Sequence, residues 1–141
     1  MKSSNDPMLR FLGRFRCRPR AIDAAIAESE RRLGVKLPKE YVAFLGLCNG
    51  GEGVIGDKTY AILWSVEELA SLNDGYQVQS YVPGLLIFGS NGGGEAYGFD
   101  MRTPEWPILA VPFVGMEWEL AEPMGASFAA FLEHLYQTKE F

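Results

Sequence analysis

The chain has 141 residues, of which 48% are apolar and 22% charged, with a formal net charge of −5. These values suit one globular domain and argue against wholesale disorder or a coiled coil. No apolar run approaches the roughly 18 residues that span a bilayer, and Arg10, Arg14, Arg16 and Arg18 interrupt what would be the core of a secretory signal.

The charge is unevenly placed. Residues 1–20 carry six basic residues and one acid, whereas residues 21–141 carry seven basic residues against seventeen acids. Residues 1–7 read as a loose terminus. Met8 to Arg20 interleaves Leu9, Phe11, Leu12 and Phe15 with arginines, the pattern of an amphipathic helix or short strand that docks its apolar side on the body. This basic arm, 1–20, precedes a single domain expected over 21–141.

Within that domain Ala21 to Leu33 has helical spacing, with Ile22, Ile26 and Leu33 on one face and Gly34 as the stop. Leu37 and Pro38 open a second helix, in which Tyr41, Phe44, Leu45 and Cys48 fall at i, i+3, i+4 and i+7. Gly53 to Trp64 reads as a hairpin turning near Gly56 and Asp57. Ser65 and Glu68 then have the spacing of a capping box that opens a short helix. Leu85 to Phe88 and Glu95 to Asp100 form a strand pair around the run Gly89–Gly94, and Ile108–Val111 and Val114–Leu120 add further strands. Ser127 caps a closing helix with Phe128, Phe131, Leu132 and Leu135 on its apolar face. Helices at both ends and strands in the middle predict an α+β fold, a mostly antiparallel sheet of five to six strands packed against helices.

Little in this pattern points to catalysis. The only histidine, His134, has no second imidazole to join, so zinc sites and histidine-based triads are not expected, nor is any cofactor. Cys17 and Cys48 are expected to be reduced and unlinked, because no secretion signal is seen and the arm has no evident reason to approach the second helix. The run Gly89, Ser90, Asn91, Gly92, Gly93, Gly94 lacks a following Gly-Lys-Ser/Thr and leads into a strand rather than a helix N-terminus. It therefore reads as a tight turn whose glycines, Gly93 among them, take positive φ. Glu95, Asp100, Glu117 and Glu119 lie on or beside expected strands, within a stretch, 91–124, that holds six acids and one base, Arg102. Trp118 stands between Glu117 and Glu119, so strand alternation sets it on the opposite face from both. Such an acidic surface repels nucleic acid and membrane phosphates and attracts basic partners. Glu95, Asp100, Glu117, Trp118 and Glu119 are the candidate partner-binding residues.

The order of these features resembles one family. LGVKLPKEYVAFLGLCNGG at 33–51, ILWSVEEL at 62–69, LLIFGSNGGGEAYGFD at 85–100 and SFAAFLEHL at 127–135 are similar, in that order, to segments of the SUKH superfamily, in its branch of fungal cell-wall-assembly regulators and bacterial relatives. The resemblance implies an α+β fold with a central sheet and a role in binding proteins. Bacterial members are commonly immunity proteins against polymorphic toxins, often nucleases, and fungal members are regulatory scaffolds. No catalytic set is carried across. The first expectation is a cytoplasmic immunity-type protein whose acidic face covers a basic toxin. A regulatory scaffold or small-ligand module using the glycine-rich segment is the alternative.

Overall fold

The computed structural model describes residues 7–138. The expected loose terminus lies, except for Pro7, outside them. The fold is α+β, and its sheet has seven strands rather than five or six, each antiparallel to the next in chain order. They are β1 (Phe15–Cys17), β2 (Gly51–Ile55), β3 (Thr59–Leu63), β4 (Leu85–Ser90), β5 (Glu95–Asp100), β6 (Ile108–Pro112) and β7 (Glu122–Gly125). Every connection joins neighbours: β2–β3, β4–β5, β5–β6 and β6–β7 follow directly, while two α-helices lie between β1 and β2 and two more between β3 and β4.

The helices are α1 (Asp23–Leu33), α2 (Lys39–Leu45), α3 (Leu69–Gly75), α4 (Val78–Tyr81) and α5 (Phe128–Gln137). Gly34 ends α1 in the left-handed conformation, and Ser127 Oγ accepts a hydrogen bond from the Ala130 N–H at the start of α5. Ile22, expected on the buried face of the first helix, caps it from outside and is exposed. Tyr41, Phe44, Leu45 and Cys48 are all buried, as their spacing predicts. Tyr41 from α2, Phe88 from β4, Phe99 from β5 and Phe128 from α5 meet with ring centroids 4.8–5.6 Å apart. This aromatic cluster joins α2 and α5 to one face of the sheet. Burial there raises the pKa of the Tyr41 hydroxyl.

The sheet opens between β3 and β4, which share only the pairs Ile62–Ser90 and Leu63–Gly89. The capping box of Ser65 and Glu68 forms as expected, and the chain after it covers the part of the β4 edge that β3 leaves unpaired. Asn73 of α3 donates from Nδ2 to the Ile87 carbonyl and accepts at Oδ1 from the Ile87 N–H, at 2.8 and 2.9 Å. Gln79 of α4 likewise donates to the Leu85 carbonyl and accepts from the Gly84 N–H. Two side-chain amides thus stand in for a missing strand, satisfying backbone groups that burial would otherwise leave unpaired.

The arm is part of the core. Pro7–Leu12 forms a 3₁₀ turn that buries Met8, Phe11 and Leu12, and β1 then pairs with β2. This overturns the expectation for the cysteines: Cys17 and Cys48 form a disulfide, with Cα atoms 5.1 Å apart. The reason is register. Cys17 lies opposite Gly51, only three residues beyond Cys48. Gly53, at φ +147°, lets the strands approach this closely, since a Cβ there would stand 2.9 Å from the Arg14 carbonyl oxygen.

Val114–Leu120, expected as a strand, is instead a loop. Gly115, at φ +75°, turns the chain, Met116 is buried, and Trp118–Leu120 closes as a 3₁₀ turn. The last strand is β7, further along.

Candidate functional site

The glycine-rich segment is a hairpin turn closed by its own side chains. Ser90 Oγ accepts from the Gly92 N–H, and Asn91 Oδ1 accepts from the N–H groups of Gly93 and Glu95. These donors are already engaged, so they do not form an open cradle for an anion. Positive φ falls on Gly92 (+76°) and Gly94 (+110°), not on Gly93. The expectation for Gly93 is corrected: a Cβ there meets nothing closer than Asn91 Oδ1 at 3.6 Å. At Gly92 the same atom would come within 3.2 Å of the Tyr60 ring.

At the far end of β5, Asp100 is only 6% exposed and is held by Arg102. One carboxylate oxygen accepts from the Arg102 backbone N–H and from Nε, both at 3.0 Å, and the other accepts from the guanidinium at 3.2 Å. These bonds hold the Asp100 carboxyl below its ordinary pKa, with the side-chain bond as the main cause and burial opposing it. The guanidinium in turn lies over the Trp118 ring, 3.4 Å from its centroid, and Trp118 Nε1 donates to the Pro83 carbonyl at 3.0 Å. Gly84 leaves room for this stack, since a Cβ there would meet Arg102 Cγ at 2.8 Å.

Asp100 and Trp118 are thereby brought together through Arg102, which pins the 113–121 loop against the sheet. Glu117 and Glu119 flank the stacked indole and are exposed, with no ion pair among the described residues. Glu105 and Glu122 are likewise exposed and unpaired among them. Glu95 is half-buried and lies at the opposite end of β5 from Asp100, about 17 Å away at strand rise. It joins the acidic field without joining the cluster. Burial, with the Glu95 charge second, raises the Tyr97 hydroxyl to a pKa of about 12.

Sequence reasoning missed Arg102 as the link, although its place two residues after Asp100 and its isolation among acids were visible. It also missed the exposed Tyr76, Tyr81, Val114 and Leu120, which no periodicity marks. A cleft of about 680 Å³ opens between the end of α1 and the α3–α4 segment, with Arg32, Asp74 and Gln77 at its polar side and Leu33, Leu86 and Met101 at its apolar side. Among the described residues there is no cluster of three or more His, Cys, Asp or Glu arranged to hold a metal. Among them, too, no helix is long and apolar enough to cross a membrane.

Residues 21–134 match the model of the SMI1 / KNR4 family (SUKH-1), and the chain belongs to that family. The match begins just after the arm and ends within α5, so it takes in the aromatic cluster of Tyr41, Phe88, Phe99 and Phe128. No curated protein matches the chain.

Proposed function

We propose that this SUKH-1 protein works by binding another protein, as an immunity-type protein that neutralises a polymorphic toxin by direct contact rather than by catalysis. The observation that carries this reading is the exposed, unpaired set Glu105, Glu117, Glu119 and Glu122 around a loop held in one conformation by Asp100, Arg102 and Trp118. A pre-ordered negative surface attracts a basic domain over long range and loses little conformational freedom on binding. The buried carboxylate, Asp100, is engaged by Arg102, which supports a binding role over an enzymatic one.

The place of action would be the cytoplasm, where a delivered nuclease meets its target. The Cys17–Cys48 disulfide bears against that placement, because thiols there are kept reduced. Thiol trapping in intact cells tests it.

The test of function is co-expression with any polymorphic toxin found encoded beside this gene. Wild type should restore growth, and E117K/E119K should lose protection and associate about tenfold more slowly at low salt, with the difference shrinking as salt rises. Salt-independent association with full rescue by the double variant would refute the charge-based reading. The cleft beside α3 and α4 favours the alternative, a regulatory small-ligand module, which a saturable thermal shift with a metabolite panel and no toxin binding would support.

A further inference from the structure

Helix α4 and the 113–121 loop are tied to one another at both ends. Tyr76, just before α4, has its ring 4.8 Å from that of Phe113, and Pro83, just after α4, accepts the Trp118 Nε1 hydrogen bond. Seven large apolar side chains are exposed among the described residues, and four of them stand on these two segments: Tyr76 (44%), Tyr81 (58%), Val114 (91%) and Leu120 (48%). The other three, Ile22, Tyr60 and Tyr136, belong to separate elements. Apolar surface gathered in one place signals contact with another molecule, whereas scattered single residues do not.

The charges on the loop side of this face have one sign, and Arg32 lies beyond it, across the cleft beside Asp74. Glu117 and Glu119 are exposed without ion pairs among the described residues, while the base beside them, Arg102, is neutralised by Asp100. A second copy docked face to face would bring like charges together, and nucleic acid or an anionic membrane would be repelled. Arginine and lysine fit, because each can lie over a tyrosine ring and meet a carboxylate with the same side chain. Tyrosine flanked by a pre-ordered loop is also the residue type that anchors interfaces.

We infer that the face made by α4 and the 113–121 loop is the docking surface for a basic protein partner. Its cationic side chains lie over Tyr81 and pair with Glu117 and Glu119, and an apolar group covers Val114, Leu120 and the exposed edge of Tyr76, whose ring packs against Trp64 and Phe113. This deepens the toxin-binding reading and rests on it for the partner's identity, though not for the location of the face.

Two experiments separate the two. In the first, a peptide alternating arginine with leucine is titrated into ¹⁵N-labelled protein, with a glutamate–leucine peptide as control. Saturable shifts should concentrate in residues 76–82 and 113–121, weaken with salt, and be absent with the control. The variant Y81S/L120S, altered only at exposed positions, should keep its fold and bind the basic peptide about 10- to 30-fold more weakly. Shifts spread evenly over the acidic surface, no binding, or unchanged affinity of the variant would overturn the assignment. Self-association of wild type that the variant loses would also overturn it, by giving the face to a second copy. In the second, the variant meets the neighbouring toxin: full affinity and rescue by Y81S/L120S would sink the face while leaving the toxin reading intact. Failure of wild type to rescue would sink the toxin reading and leave the peptide map to decide the face.

Discussion

Breaking the Cys17–Cys48 disulfide should destabilise the whole domain, because the bond closes a loop across 31 residues of sequence. Loop-closure entropy for that separation corresponds to about 3.7 kcal/mol at 25 °C. For a chain of this size that is a fall in melting temperature on the order of 10–15 °C. The two cysteines are not equivalent. Cys17 is exposed, so C17S removes the bond without adding a buried polar group, whereas Cys48 is fully buried beside the Gly50 carbonyl and C48S would bury a hydroxyl there. The clean comparison is therefore C17S, C48A and reduced wild type, each followed by thermal unfolding. All three should fall by similar amounts, and only oxidised wild type should have an intact mass two hydrogens short of the reduced form. The buried side chains Met8, Phe11, Leu12 and Phe15 should keep the arm docked in the variants, leaving the loss as entropy of the unfolded chain. A shift below about 2 °C for C17S and for reduced wild type alike would refute the reasoning.

Asn73→Ala should cost about 2–4 kcal/mol, since it strips both hydrogen bonds from Ile87 within a buried site; chemical denaturation measures it, with faster amide exchange expected at Ile87. Gly94→Ala should cost about 1–2 kcal/mol from its positive φ, whereas Gly93→Ala should stay within about 0.5 kcal/mol, so that equal melting curves would contradict the turn geometry. The Asp100 carboxyl is depressed in the folded state, so its contribution is complete above its unfolded pKa near 3.8 and is lost as pH falls through the lower folded value. Acid titration of stability should therefore show a steeper decline below about pH 4 in wild type than in D100N.

The elements with strong local signals were legible from residue order alone. The apolar spacing of Tyr41, Phe44, Leu45 and Cys48, the Ser65–Glu68 capping box and the Ser127 cap each depend on neighbours within a turn or two, and each formed as read. So did the β4–β5 pair around the glycine run, because a hairpin carries its partner strand with it. The acidity of 91–124 was equally plain in composition. What lay outside reach depends on contacts distant in sequence. The disulfide required knowing that the arm would pair with β2 and set Cys17 opposite Gly51. The 114–120 segment alternates like a strand, yet the hold of Arg102 and Pro83 on Trp118 takes it out of the sheet and turns Glu117 and Glu119 into an ordered acidic rim. Local propensity decides which helices and hairpins exist, whereas the position of a partner-facing loop is chosen by where a buried Asp100 can neutralise Arg102 and where an indole can stack, and those are distances that only the folded chain creates.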